Sequence, residues 1–153
     1  RAVGQTVNIG DSGYWYMTGF QIETGDIATD FEYRSYGDEL ARCQRYFYMH
    51  AGENGDPICN GMMSSSSVLQ GMIQFPVRMR TTPTLVYTTS GSNPLFVYCA
   101  GSNDYCNDIS AVHDSENCFV VEIDDGLSIG SAGDAAWSRI INATTTIGFN
   151  AEL

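Results

Sequence analysis

GDIATDFEYRSYGDELARCQRYF, residues 25–47, runs from an acidic loop into a short helical pattern and out again into aromatic residues. Ser35 stands where an N-cap would, with Asp38 three residues on as the acidic partner of a capping box. Asp38 and Glu39 fall in the first turn and Arg42 and Arg45 later, the order that the helix dipole favours. Tyr36, Leu40, Cys43 and Phe47 recur at i, i+4, i+7 and i+11, which makes one apolar stripe. A helix of about two or three turns does not hold alone in water, so the stripe calls for a covering neighbour.

The flanks of this helix read as strands. Val3 to Ile9 alternates, Asp11-Ser12-Gly13 turns, and Tyr14 to Glu23 carries apolar residues on both faces. Downstream, Tyr46 to Met49 continues extended, and Gly52 to Pro57 is a turn-rich loop. Ile58 to Met63 and Val68 to Phe75 read as paired strands, and Pro76 and Pro83 bracket an edge or crossover piece. Leu85 to Thr89 and Leu95 to Cys99 flank the turn signal SGSNP. Ala100 to Asn117 reads as a long polar loop. Cys118 to Ile123, Ala136 to Ala143 and Thr145 to Leu153 are three further strands, with Asp125-Gly126 a turn. Strands about ten residues apart with Gly, Asn and Asp turns predict an all-β fold, an antiparallel β-sandwich of jelly-roll type with one short helix.

Composition narrows the function. The 153 residues suffice for one domain with a core, and 43% hydrophobic and 12% aromatic content argues against disorder. Formal net charge is −11, and the seven basic residues are all Arg. Such a surface repels phosphate backbones and anionic lipid, so neither nucleic acid nor membrane is an expected partner. No apolar run approaches the ~20 residues of a spanning helix. The chain begins at Arg1 without a signal-peptide pattern, which points to a piece of a longer protein. Five cysteines with no CxxC pair cannot all be bridged, and they read as buried thiols of a reducing cytoplasm. A single bridge among Cys99, Cys106 and Cys118, which fall near one expected hairpin, is the alternative.

Catalytic and cofactor motifs are lacking. His113-Asp114-Ser115 sets triad residue types side by side, but triads assemble across a fold, and there is no GxSxG elbow. The acids Asp104, Asp108, Asp114, Glu116, Asp124 and Asp125 lie in polar loops or turns, with no calcium-loop spacing. No phosphate-cradling glycine motif occurs. Asn142-Ala143-Thr144 fits a glycosylation sequon by coincidence, and Trp137 reads as a core residue. No catalytic residue, metal ligand or cofactor is therefore expected, and the chain is read as not an enzyme. Tyr98 and Tyr105 with Asn103, Asp104, Asn107 and Asp108 have the make-up of a glycan site, aromatic faces beside groups that hydrogen-bond hydroxyls. The competing role for the two tyrosines is to cover one end of the sandwich. Arg34, Arg42 and Arg45 are read as partners of Asp38, Glu39 or a neighbouring chain rather than as an anion clamp.

One stretch resembles a known family. GFQIETGDIATDFEYRSYGDELARCQRYF, residues 19–47, is similar to the segment GFQLE.G..ATPFE.R.YGEELALCQRYY near the C-terminal part of bacteriophage tail-fibre and related virion proteins. The match runs through Gly19-Phe20-Gln21, Glu23, Gly25, Ala28-Thr29, Phe31-Glu32, Arg34, Tyr36-Gly37, Glu39-Leu40-Ala41 and Cys43-Gln44-Arg45-Tyr46. Asp30 replaces the usual Pro and Arg42 the usual Leu. Downstream, FPVRMRTTPTLVY resembles FPVPMRATPTV, and the closing IGFNAEL resembles F.AEL. The resemblance implies a distal virion domain, made in the bacterial host cytoplasm and assembled as a homotrimer with other tail proteins. It further implies lead-in strands over 1-34, either the end of a preceding jelly-roll module or strands joining this domain, and a C-terminal head over 35-153. On this reading Tyr36, Leu40, Cys43 and Phe47 form the oligomer interface, and the head adheres to a bacterial surface glycan or protein. A purely structural attachment or trimerisation domain and a glycan depolymerase are the alternatives.

Overall fold

The computed structural model describes residues 21–22, 24–27, 29–89 and 91–152. The chain divides into two compact units, Arg1–Ser35 and Tyr36–Leu153. The expected strand at Val3 to Ile9, and Tyr14 to Glu23 apart from Gln21 and Ile22, lie outside the described residues.

In the first unit, the Gln21 amide ties the segment together. Its Nε2 donates to Thr29 Oγ1 at 3.3 Å, and its Oε1 accepts from the Glu32 N–H at 2.9 Å. Arg34 pairs with Glu32 at 2.5 Å, and the Phe31 and Tyr33 rings meet edge to face at 5.0 Å. Gln21, Thr29, Glu32 and Arg34 all belong to the segment 19–47, so its polar residues bind one another.

The second unit opens with α1 (Tyr36–Gln44), acidic in its first turn and basic in its last. None of its residues is buried, and Tyr36 is 82% exposed. The helix stops before Phe47, in line with the extended reading of Tyr46 to Met49 and short of the apolar stripe. The Tyr46 N–H donates to the Cys43 carbonyl at 2.9 Å, and the backbone at 45–46 is then recruited by sheet neighbours: the Arg45 carbonyl accepts from Arg80 and the Tyr46 carbonyl from Ala151. Phe47 therefore starts β1 (Phe47–Ala51) and is not a fourth residue on the helical stripe.

Nine more strands follow: β2 (Pro57–Ser65), β3 (Val68–Gln74), β4 (Thr84–Thr88), β5 (Leu95–Cys99), β6 (Ser102–Cys106), β7 (Ile109–Asp114), β8 (Cys118–Ile123), β9 (Ala135–Ile140) and β10 (Thr146–Asn150). They form two antiparallel sheets, a three-stranded one in the order β1-β10-β4 and a seven-stranded one in the order β6-β5-β9-β2-β3-β8-β7. The fold is all-β, two facing sheets with one short helix.

Two expectations change. The polar run from Ala100 to Asn117 is not a loop but carries β6 and β7, the two edges of the larger sheet. Edge strands need bury little, so their sequences lack the apolar alternation that betrays a strand. The turn between β4 and β5 joins no hairpin; it is a corner carrying the chain from the small sheet to the large one. The Pro-bracketed piece after β3 is another crossover between the sheets, held by buried Met79, whose N–H donates to the Glu116 carbonyl at 2.8 Å.

The core lies between the sheets. Phe149 on β10 is its hub, with Phe119 at 4.9 Å and Phe75 at 5.0 Å between ring centroids. Ile147, Leu69, Ile73, Leu95, Val97, Val121, Ile123 and Ile140 fill the space around it. The one-face alternation of β3, β5, β8 and β9 supplies all of these but Ile147, which lies on β10, and leaves the other face of the large sheet open. On the small sheet the outer face is also apolar. Met49, Gly148 and Val86 lie in register across it. A Cβ on Gly148 would come within 3.0 Å of the Phe47 ring, so glycine lets that ring lie against the sheet.

Candidate functional site

The open face of the large sheet carries an aromatic shelf across its β6-β5-β9 edge. Strand pairing sets it out in two rows. Asn103 pairs with Tyr98 and Tyr98 with Trp137; Tyr105 pairs with Phe96 and Phe96 with Arg139. Cross-strand partners share a face of the pleat, so all six side chains stand on the solvent side. The Phe96 ring lies 5.7 Å from Tyr105 and 5.6 Å from Trp137, and Tyr98 lies 6.2 Å from Trp137. Tyr98, Tyr105 and Trp137 remain 41%, 43% and 38% exposed. Beyond Trp137 the apolar surface continues with exposed Met62 and Met72 on β2 and β3.

Local chemistry explains why the shelf is there. β5 reads Leu-Phe-Val-Tyr-Cys, apolar on both faces, and Leu95, Val97 and Cys99 take the core side. Phe96 and Tyr98 must then point outward. In β9 the small residues Ala136 and Ser138 pack inward with Ile140, which turns Trp137 and Arg139 out. The Ser138 hydroxyl meets its needs at Cys59, 3.3 Å from the sulfur and 3.4 Å from the carbonyl. Trp137 is thus not the core residue its size suggested.

Arg139 is the charged member of the shelf. Its guanidinium lies 4.8 Å from the Phe96 ring centre and 5.9 Å from that of Trp137. Such stacking is worth about 0.5–2 kcal/mol and fixes the plane of both partners. Its Nε is buried and has no hydrogen-bond partner among the described residues.

The six residues singled out from sequence separate here. Tyr98, Asn103 and Tyr105 come together on the shelf. Asp104 faces away, one carboxylate oxygen accepting from the Tyr105 N–H at 2.9 Å and the other from Ser128 at 2.8 Å. Asn107 holds the corner between β4 and β5, its Oδ1 accepting from the Asn93 N–H at 2.6 Å and its carbonyl from the Tyr87 hydroxyl at 2.8 Å. The Asp108 carboxylate accepts from the Ile109 N–H at 2.9 Å. The Asn107 and Asp108 side chains shape turns, and that of Asp104 ties β6 to the backbone at Ser128. Phe96, Trp137 and Arg139 are the shelf residues that sequence reasoning missed; the signal available was the five-residue apolar run of β5, too apolar for a half-exposed strand.

Other chemistry-bearing residues have structural duties. An open hollow of about 430 Å³ beside β1 is lined by Met49, His50, Gly52, Glu53, Asp56 and Thr146. Both His50 nitrogens are engaged, Nε2 with the Ile58 carbonyl at 2.7 Å and Nδ1 with the Tyr48 hydroxyl at 3.3 Å. Asp56 takes the Gly52 and Glu53 N–H groups, which hold its carboxyl below the usual range. Ser115 shapes the β7–β8 turn through hydrogen bonds with Cys118, and Asn142 binds Thr144 in a turn after β9, not in a strand. All five cysteines are free, and Cys99 and Cys106 sit at opposite ends of the β5–β6 pair. Among the described residues no group of three or more His, Cys, Asp or Glu side chains gathers as metal ligands would.

No protein-family model, curated protein or solved structure matches the chain.

Proposed function

We propose that the chain is a non-catalytic adhesion domain whose aromatic shelf binds a bacterial surface glycan. The observation that carries this reading is the shelf itself. Four aromatic side chains stand together on the open face of a sheet whose other face already holds the core. A packed core gives no reason for Phe96, Tyr98, Tyr105 and Trp137 to be there, and exposing them costs the burial that each could have gained elsewhere. Pyranose rings present apolar C–H faces that stack on aromatic rings, while Asn103 offers a donor and an acceptor to hydroxyls. The likeness of residues 19–47 to phage tail-fibre segments supports this reading, since the distal part of a fibre is where a receptor is met.

Trp137→Ala and Tyr98→Ala test it. Each removes an outward ring and nothing from the core, so each should lower glycan affinity about tenfold or more, with a fall in thermal midpoint limited to the lost ring contacts. Isothermal titration against host polysaccharide fragments, alongside a melting curve, reads both. Unaltered binding in both variants, or no binding by the parent chain, would sink the reading.

A second, purely structural reading rests on a different surface. Tyr36, Leu40 and Cys43 on α1, with Phe47, Met49 and Val86 on the outer face of the small sheet, are all exposed. This surface supports assembly of identical copies, a homotrimer on the virion, and is compatible with adhesion through the shelf.

A further inference from the structure

We infer that Arg139 is an anion subsite within the shelf and that the glycan it takes carries a carboxylated sugar, such as a uronic or 2-keto acid residue. This deepens the glycan reading and rests on it.

The argument starts from charge. The chain holds eighteen acids against seven arginines, so an arginine has carboxylates in abundance to pair with. Arg34 and Arg78 do so, with Glu32 and Glu116. Arg139 does not: among the described residues no carboxylate lies within ion-pair distance of it. The aromatic stack, at 4.8 Å from Phe96 and 5.9 Å from Trp137, covers one side of the guanidinium and leaves its Nε without a partner. A planar fork of N–H donors, locked by stacking and free of an internal acid, is preorganised for a carboxylate.

Position selects a sugar as the carrier. Arg139 and Trp137 are two apart on one strand, so their side chains stand side by side about 7 Å apart on the same face. A pyranose stacked on Trp137 can extend an in-plane carboxylate from its ring edge by that reach. The −11 charge opposes dense polyanions, but a single carboxylate per repeat is a local contact, and at physiological salt the Debye length of about 8 Å screens distant acids. The charge pattern therefore fits a sparsely acidic glycan and not a phosphate backbone.

The test pairs a panel of uronate-, sialate- and 2-keto-acid-containing oligosaccharides with their carboxyl-reduced, neutral counterparts, titrated against the whole chain at physiological salt. For at least one pair the acidic member should bind about tenfold tighter, the difference expected of a charge-assisted hydrogen bond. Arg139→Gln should erase that preference, so that the acidic and neutral members of the pair bind alike. Arg139→Lys should keep part of it, since the charge remains but the fork is lost. Far-ultraviolet dichroism and a melting curve verify that both variants fold. Equal affinity within every pair, or a preference that survives Arg139→Gln, overturns the subsite and leaves neutral-glycan binding standing. No binding to any member overturns the subsite together with the glycan reading.

Discussion

Two side chains beneath the shelf, Cys106 and Tyr87, carry a pH signature. Burial pushes the Cys106 thiol from 9.0 up to about 12, with the Asp104, Asp124 and Asp125 carboxylates adding to the shift. Burial likewise pushes the Tyr87 phenol from 10.0 up to about 12, and its hydroxyl donates to the Asn107 carbonyl. A group that holds its proton more tightly when folded contributes stability below its unfolded value, and that contribution is lost as pH rises toward the folded one. The melting temperature should thus fall as pH climbs from 9.0 toward 12, and Cys106→Ala should make the fall shallower. A flat profile over this window would show that neither group is held neutral by the fold. The sequence marked Cys106 as a buried thiol, and its position on the core side of β6 accounts for that burial. For Asp104, Asn107 and Asp108 it marked polarity but not purpose, because a carboxylate or amide that binds a sugar and one that caps a turn look the same until its partners are known.

Elements show the same division. The β5–β6 hairpin turns on Ala100 and Gly101, both at positive φ, 50° and 83°, between the paired residues Cys99 and Ser102. Two left-handed residues in a two-residue loop make a type I′ turn, which favours Asn-Gly. Alanine in that conformation carries a penalty of about 1 kcal/mol that asparagine largely avoids. Ala100→Asn should raise stability by about 0.5–1 kcal/mol in urea unfolding with glycan affinity unchanged, while Ala100→Val should lower it. A loss of stability in Ala100→Asn would mean that the turn is held by something other than its local backbone preference. Ala-Gly is a poor turn signal, and the polar strands beside it are edges, so this hairpin was illegible in sequence. The helix was legible from capping residue, charge order and periodicity, and its end from the extended reading of Tyr46 to Met49; the long-range hydrogen bonds by which the sheet claims the backbone at 45–46 were not.

At the scale of the whole unit, apolar surface remains on two outward faces. One is the shelf. The other is the α1 stripe with the outer face of the small sheet, where Leu40, Phe47, Met49 and Val86 are exposed. The proposed homotrimer would place its contacts among three copies on this second face. Leu40→Asp should then shift the mass measured by size exclusion with light scattering from trimer toward monomer. The exposed thiol of Cys43, three residues from Leu40 on the same face, should become more reactive toward a thiol reagent in that variant. A monomeric parent chain, or a trimer indifferent to the change, would remove this surface from the assembly.

Alternation and turn residues were enough to determine a strand-built sandwich with one short helix, since the period of a strand and the capping of a helix are local properties of the chain. Only the tertiary structure decided which side of each strand became core. Where both sides are apolar, as in β5, or where the inward residues are small, as in β9, parity leaves two choices. Packing against Phe149 and its neighbours on the opposite sheet selects one of them, and that selection puts Phe96, Tyr98, Trp137 and Arg139 at the surface.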